Sequence, residues 1–181
     1  MSRLPAIQTE TASGKAKQLL DAVQAKLKIT PNMTRVMANS PAVLEGYLAF
    51  NGALAGGNLP AKLREEIALE VGEQNACQYC VSAHTAIGKL TGLTDTEIEQ
   101  AREARSSSPK HTAALVFARQ VVANKGQITD GDFEAVRQAG FSDGEIAEIV
   151  AHVALNVFTN YFNTAAQVDV DFPKVALRRA A

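Results

Sequence analysis

Residues 63–101, "LREEIALEVGEQNACQYCVSAHTAIGKLTGLTDTEIEQA", contain three helical patterns in succession. The first begins at Pro60 and runs to about Gln74, the second begins at "NAC" and ends near Gly92, and the third covers about 94–105. Apolar residues recur in these patterns at helical spacing, and none shows the period of two that a half-buried strand requires. The stretch therefore predicts helices packed against helices.

The same periodicity continues on both sides of this stretch. We predict further helices over about 16–27, 41–54, 109–125, 130–139 and 142–166, separated by turn segments such as "AGGN" and "SSSP". At 181 residues and 46% apolar content, the chain can bury one sizeable core. The predicted fold class is all-α.

Two helix starts within the chain resemble each other. "GLTDTEIEQA" and "GFSDGEIAEI" both place a hydroxyl residue, Thr94 or Ser142, three positions before a glutamate, Glu97 or Glu145. This is the signature of a capping box. The echo leaves open a domain built of two related helical halves, although helix-start chemistry can also recur independently.

The two cysteines of the chain, Cys77 and Cys80, lie three positions apart, and His84 follows four positions later. At about 100° per residue, the three side chains fall within roughly 60° of one another on a helix. Cα atoms three residues apart are about 5 Å from each other, a spacing that a disulfide tolerates. The cluster therefore suits metal binding, a structural bridge or thiol chemistry.

Asn75 is a candidate N-cap for the cysteine helix. This would place Cys77 in the first turn, where free N–H groups and the helix dipole favour a thiolate. His84, one turn beyond Cys80, is placed to accept a proton from that cysteine. The local pattern thus leaves open which of the two cysteines is the more reactive.

The preceding helix carries four glutamates. Glu66, Glu70 and Glu73 share a face with Lys62, and we expect that face to be solvated. Glu65 lies instead on a face of small and apolar residues, where a carboxylate needs a donor or a cation. It either orients a histidine beside a thiol or pairs with Arg64 or a neighbouring helix.

Composition restricts the partners. A net charge of −1 and a pI near 6.3 provide no basic surface for nucleic acid or for an anionic membrane. The N-terminus lacks the apolar core of a signal peptide, and no apolar run is long enough to cross a bilayer. We expect a soluble, cytoplasmic protein, in which two lone cysteines are more often metal-binding or redox-active than permanently bridged.

The stretch 63–101 closely resembles the core motif of the alkylhydroperoxidase AhpD-like branch of the carboxymuconolactone decarboxylase family. That motif places a Glu twelve residues before a Cys-x-x-Cys and a His four residues after its second Cys. The four matching positions here are Glu65, Cys77, Cys80 and His84. "VALNVFTNYFNTAAQVDVDFP" is similar to the C-terminal helix and tail of the peroxidase-related members.

The resemblance implies a single AhpD-like domain over residues 1–181, with the core motif at about 60–105 and the C-terminal helix and tail at about 142–175. It also implies an antioxidant peroxidase in which Cys80 attacks a hydroperoxide and Cys77 resolves the sulfenic acid as a disulfide. His84 and Glu65 would form the proton relay. No cofactor or metal is implied, and an external dithiol or a redox protein would reduce the disulfide. The family forms trimers or hexamers, so we expect a homo-oligomer.

The sequence departs from the family at one position of the motif. Some members carry a His immediately before the second Cys, where this chain has Tyr79. The proton relay would therefore be shorter here. Tyr79 is a candidate residue of the substrate pocket instead.

Several other side chains are candidates for the pocket or for structural roles. A polar stripe along the last helix either lines the pocket or, the preferred interpretation, forms hydrogen bonds within the core or at an oligomer interface; it consists of His152, Asn156, Asn160 and Asn163. Phe158, Tyr161 and Phe162 either wall a cavity or pack ordinarily. His111, near a helix start, is predicted to be a surface residue.

Two functional alternatives remain beside the peroxidase. A lactone-processing or decarboxylating enzyme, the other branch of the family, does not need paired cysteines. A zinc- or redox-sensing scaffold would have three ligands in Cys77, Cys80 and His84, whereas a closed zinc site usually has four.

Overall fold

The computed structural model describes residues 2–178, and within them the regular elements are helices, with no strand. This confirms the predicted all-α class. In chain order the helices are α1 (Gly14–Leu27), α2 (Asn32–Met37), α3 (Pro41–Ala55), α4 (Ala61–Gln74), α5 (Gln78–Leu90), α6 (Asp95–Ala101), α7 (Pro109–Ala123), α8 (Asp130–Gln138) and α9 (Asp143–Ala166).

Helix α2 is the one described helix that the periodicity did not predict. It is only six residues long, and Pro31, which the pattern marks as the end of α1, is its N-cap. Met37 is buried among the helices of the N-terminal layer, and Val36 is buried in the apolar cluster that contains the two cysteines. A helix this short is stabilised by packing rather than by its own periodicity.

The predicted capping boxes at α6 and α9 are both present. The side chains of Thr94 and Ser142 each accept a hydrogen bond from the backbone N–H of the glutamate three residues on. The carboxylate of that glutamate accepts a hydrogen bond from the backbone N–H of the capping residue. Thr129 and Asp132 form a third box at the start of α8, where Asp replaces the usual Glu. The capping box also occurs at α8, whose sequence is not similar to the starts of α6 and α9. The motif therefore reflects local helix-start chemistry.

Helix α4 lies at the centre of the molecule and packs against α5, α7 and α9. Its residues Leu63, Ile67 and Val71 belong to the largest apolar cluster, which α6, α7, α8 and α9 complete. Helices α1, α2 and α3 form a smaller layer with its own cluster around Leu20 and Leu44. The described chain has no helix that is both long and apolar enough to span a membrane.

The prediction that the face of α4 with Glu66, Glu70 and Glu73 is solvated is wrong. Glu66, Glu70 and Glu73 are buried, with 2%, 0% and 2% of their surface exposed. Each has a basic partner: His111 Nδ1 lies 2.6 Å from Glu66, Arg119 Nε donates to Glu70 at 2.6 Å, and Arg102 Nε donates to Glu73 at 2.6 Å. A helical wheel shows that the charges share a face but not that cations from α7 and from the end of α6 cover it.

The tail after α9 returns across the cysteine helix. Val175 donates its backbone N–H to Ser82 Oγ at 3.1 Å, and Arg178 donates its own to Glu73 at 3.2 Å. The buried guanidinium of Arg102 also donates to the carbonyl of Ala176. The tail is thereby fastened to both α4 and α5.

Removing the cation from Glu70 is expected to destabilise the fold. The Arg119→Met variant should lose about 3 kcal/mol of unfolding free energy near neutral pH, because it leaves a buried carboxylate without its charge partner. Burial raises the pKa of Glu70 even in the intact pair. A raised folded-state pKa means that stability is lost as pH rises above the unfolded value of about 4.3.

The defect of Arg119→Met should accordingly be smaller at pH 5 than at pH 8, as measured by urea unfolding. Arg137→Met is the matched control, because its partner Asp143 has 80% of its side chain exposed, and it should change stability little. Equal losses in the two variants would contradict the role given to the buried pair.

Candidate active site

The cysteine pair lies at the start of α5. Cys77 is the N-cap of the helix, and its Sγ accepts a hydrogen bond from the backbone N–H of Cys80 at 3.2 Å. The two sulfurs are bonded to each other, with the Cα atoms 5.3 Å apart. The local geometry of a helix start therefore accommodates the disulfide, as the spacing predicts.

The prediction that Asn75 caps this helix is wrong. Asn75 ends α4 instead, and Ala76 adopts a left-handed conformation with φ +50°. This turn lets Cys77 donate its N–H to the carbonyl of Gly72 at 2.9 Å. The cap position consequently moves two residues along the chain, from Asn75 to Cys77.

Gly72 allows α4 and α5 to approach closely beside the cysteines. A Cβ at this position would lie 3.2 Å from Val81 Cγ2 and 3.7 Å from Cys80 Cβ. The first distance is tighter than ordinary van der Waals contact. The small residue thus sets the depth at which Cys80 packs against the central helix.

Glu65 and His84 form the pair that the motif predicts. The carboxylate Oε2 lies 2.8 Å from His84 Nδ1, and both side chains are largely buried, at 17% and 22% exposure. Arg64, the alternative partner, donates instead to the carbonyl of Ala55 at 2.8 Å. With Nδ1 held by the carboxylate, the histidine has Nε2 available for other chemistry.

A cavity of about 400 Å³ adjoins the pair and the disulfide. Cys80, His84 and Glu65 line it, together with side chains from α1, α2, α3, α9 and the tail. Cys77 is 2% exposed and is not among the described residues that line the cavity. Of the two sulfurs, that of Cys80 is therefore the one that faces a substrate-sized space.

The polar stripe of α9 divides into two functions. His152, Asn156 and Asn163 line the cavity, whereas Asn160 accepts a hydrogen bond from Asn75 Nδ2 at 2.9 Å at the α4–α5 turn. The Asn163 amide donates to Cys80 Sγ at 3.4 Å. Asn160 therefore forms a hydrogen bond within the core, whereas His152, Asn156 and Asn163 line the pocket.

Both tyrosines of the cavity are held in their neutral form. Burial, with the charge of Glu65 adding to it, raises the pKa of Tyr47 to about 12. Burial likewise raises the pKa of Tyr79, whose hydroxyl accepts the backbone N–H of Met33 at 3.1 Å. The sequence does not single out Tyr47, because no local signal separates a packing tyrosine from one that lines a pocket.

The aromatic residues of α9 do not wall this cavity. Phe158 and Tyr161 are 40% and 62% exposed and are not among its lining residues. Phe162 is partly buried and packs against two apolar clusters. Tyr79 does line the cavity, and its ring meets that of Phe172 edge to face at 5.8 Å.

His111 is not the free surface residue that its position predicts, since it is part-buried against Glu66. The described residues thus contain two His–Glu pairs, one beside the cysteines and one on another face of α4. In the described part of the chain, no group of three or more His, Cys, Asp or Glu side chains is arranged to hold a metal.

The all-helical fold, the Cys-x-x-Cys disulfide and the adjoining His–Glu pair are similar to the alkylhydroperoxidase AhpD type that the motif predicts. Residues 41–124 match the Carboxymuconolactone decarboxylase family. This match covers just under half of the chain and, with the similar structures, supports the family assignment that the motif at residues 63–101 predicts.

Solved structures share this fold along nearly the whole chain. An uncharacterized peroxidase-related protein from Ralstonia eutropha JMP134, described as an alkylhydroperoxidase AhpD core, is 27% identical with a TM-score of 0.85, covering 94% of this chain and 92% of its own. A peroxidase-related protein from Silicibacter sp. TM1040 is 24% identical with a TM-score of 0.80, covering 96% and 90%.

A third similar structure is that of a debrominase. A cysteine-to-alanine variant of the debrominase Bmp8, in complex with 2,3,4-tribromopyrrole, is 20% identical with a TM-score of 0.80, covering 93% of this chain and 91% of its own. At this identity the likeness establishes the fold alone. A search of curated proteins found none that matches this sequence significantly.

Proposed function

We propose that this protein is a thiol-dependent hydroperoxide reductase with an antioxidant role. The observation that carries the proposal is that Cys80 and the His84–Glu65 pair line one cavity, which is large enough for an organic substrate. The match to the Carboxymuconolactone decarboxylase family and the similar peroxidase-related structure at 27% identity support an enzyme of this kind.

The reaction proceeds in three balanced steps. The Cys80 thiolate attacks one oxygen of the hydroperoxide, the O–O bond breaks, and the alcohol leaves with a proton while Cys80 becomes a sulfenic acid. The Cys77 thiol then displaces hydroxide from that sulfur, which leaves as water, and forms the disulfide. A dithiol donor returns two electrons and two protons by thiol–disulfide exchange and is itself oxidised to a disulfide.

The His84 imidazole moves the proton in this scheme. It accepts the proton of the Cys80 thiol and returns it to the leaving alkoxide, while Glu65 holds the ring and stabilises its cationic form. The Asn163 amide donates a hydrogen bond to the same sulfur. A hydrogen bond to the charged form favours the thiolate.

The donor must be small or have a slender reactive arm. Cys77 and Cys80 are only 2% and 3% exposed, so the flat surface of a globular protein cannot reach either sulfur while the tail covers α5. The scheme needs no cofactor besides this dithiol. A reducing compartment such as the cytoplasm would maintain a supply of such donors.

The same dithiol chemistry offers a second candidate function. A reduced cysteine pair can replace a halogen on an electron-rich ring by hydrogen, forming the disulfide and releasing a halide ion and a proton. The mostly apolar lining of the cavity suits a halogenated ring such as the one that the debrominase Bmp8 binds. A lactone-processing role makes no use of the disulfide.

We also propose that the chain forms a homo-oligomer, a trimer or a hexamer, through the outer face of α9. Val150, Phe158 and Tyr161 form an exposed apolar stripe on the face opposite to His152 and Asn163. Phe50 on the neighbouring α3 is also exposed. Apolar surface of this kind marks protein–protein contact.

One equivalent of hydroperoxide should consume both free thiols of the reduced protein without producing a disulfide-linked dimer on a non-reducing gel. In the Cys77→Ser variant we expect a sulfenic acid trapped on Cys80, detectable with a dimedone probe, because no resolving thiol remains. Full turnover by Cys80→Ser would contradict the assignment. Thiol loss with a bromopyrrole, with bromide release and no reaction with hydroperoxides, would favour the second candidate.

The relay predicts a shift in the pH dependence of thiol reactivity. In the Cys77→Ser background, alkylation of Cys80 by iodoacetamide should be half-maximal below the free-thiol value of about 8.5. His84→Gln should move this midpoint up by about one pH unit, and Glu65→Gln by less, because the amide still holds the ring. The defect in peroxide reduction should be largest near neutral pH and should diminish in alkaline solution.

The second His–Glu pair provides matched controls for this titration. His111→Gln and Glu66→Gln alter a contact of similar length that touches neither cysteine. These variants should lower thermal stability and leave the alkylation profile unchanged. If the His84 and Glu65 variants behave in the same way as these controls, the relay is wrong.

Light scattering should show an assembly larger than the monomer at micromolar concentration. Replacing Phe158 and Tyr161 by Asp and Lys should shift it toward the monomer, because charges would enter an apolar contact. The same two replacements should leave the helical content unchanged, since neither side chain is buried within the chain. A stable monomer of the unaltered protein would exclude the oligomer.

A further inference from the structure

One end of the cavity contains a buried polar atom without a partner. His152 is 5% exposed and lines the cavity, and its Nε2 forms no hydrogen bond within the described chain. Leaving a polar group buried and unsatisfied costs about 1–3 kcal/mol. A ligand that accepts or donates a hydrogen bond at this atom would remove that cost.

A cation lies beside this histidine. Arg64 lines the same cavity. Burial, with the charge of Arg64 adding to it, lowers the pKa of His152, while the charges of Glu148 and Glu65 act in the opposite direction. Arg64 donates from Nη1 to the carbonyls of Ala55 and Leu54, and no carboxylate of residues 2–178 pairs with it. The guanidinium has five N–H donors, so several stay available to a ligand.

The nearby carboxylates have partners of their own. Glu65 holds His84. Glu148, one turn before His152 on α9, accepts the backbone N–H groups of Asn58 and Leu59. The charges of both carboxylates also act on His152, so the end of the cavity at Arg64 and His152, which we call the basic end, is distinguished by its free hydrogen-bonding groups rather than by its net charge.

The basic end lies far from the reactive sulfur. His152 and Asn163 are on the same face of α9, separated by eleven residues and thus by about 16 Å along the helix axis. Asn163 contacts Cys80 Sγ. Most of the remaining lining is apolar, with Leu48, Ile87 and Leu155 among its residues. The cavity thus combines a sulfur end, an apolar wall and a basic end.

We propose that the basic end binds the carboxylate of the substrate, so that the enzyme reduces hydroperoxides of apolar-chain carboxylic acids. This rests on the proposed function and specifies its substrate class. The carboxylate accepts hydrogen bonds from Arg64 and from His152 Nε2, and the chain lies along the apolar wall. The hydroperoxide group of a sufficiently long chain is thereby placed against Cys80.

Binding of unreactive probes tests the proposal without any thiol chemistry. Calorimetry on the oxidised protein at pH 7.5 compares decanoate with decanamide, which has the same chain and no charge. We expect decanoate to bind about tenfold more tightly, as a charged hydrogen bond implies. Arg64→Gln should abolish this preference and leave decanamide binding unchanged, and His152→Phe should reduce it.

Two further variants provide the controls. Arg64→Lys keeps the charge and should retain most of the preference, so that a folding defect in Arg64→Gln does not decide the outcome. Arg137→Gln removes an arginine that does not line the cavity and should have no effect. Equal affinity for the two probes, or a preference that persists in both Arg64→Gln and His152→Phe, would overturn the proposal.

The experiments can reject the proposed substrate class and the proposed reaction independently of each other. A preference for decanoate without peroxide-dependent thiol loss would leave the basic end intact and reject the peroxidase. With an active peroxidase, Arg64→Gln should raise KM severalfold for a decanoate with a terminal hydroperoxide and leave KM for tert-butyl hydroperoxide unchanged. An equal rise for both substrates would reject the basic end alone.

Discussion

Helix α4 carries carboxylates on more than one face, and the rest of the structure is arranged to supply each of them with a partner. Glu70 and Glu73 are buried and depend on Arg119 and Arg102. Removing one partner of such a pair leaves an uncompensated charge, which is far more costly than losing a surface contact. The charges of α4 therefore specify where α7 and the end of α6 must lie. Glu65, on another face of α4, requires a partner from α5 in the same way. His84 is that partner, and it lies beside the disulfide.

The parts of the fold that depend on local chemistry could be predicted from the sequence. The capping boxes of α6 and α9 involve residues three apart, and the Glu65–His84 contact follows a fixed motif. The burial of Glu66 could not be predicted in this way, because its partner His111 is far along the chain. Asn75 failed as an N-cap because a left-handed Ala76, a conformation that sequence rarely signals for a non-glycine residue, changed the register of the turn.

The candidate site shows the same division. The cysteines and the pair beside them were predictable because the motif fixes the spacing of Cys77, Cys80 and His84 along α5 and the position of Glu65 on the preceding helix. Tyr47 and Arg64 were not, since they enter the cavity from α3 and α4 through tertiary packing and have no distinctive spacing. A similar fold in proteins described as peroxidase-related and as a debrominase indicates that such cavity residues, rather than the scaffold, determine the chemistry.

The second half of helix α9 departs from the usual distribution of side chains. Its amides and His152 point inward, whereas Phe158 and Tyr161 point outward. An engineer who ranked positions by hydropathy would preserve the outer aromatics as core and replace the inner asparagines by leucine to improve packing. Such a redesign would remove the Asn163 donor from the reactive sulfur and the Asn160 bond from the α4–α5 turn. In this part of the helix, the hydropathy of a residue does not indicate whether its position tolerates substitution.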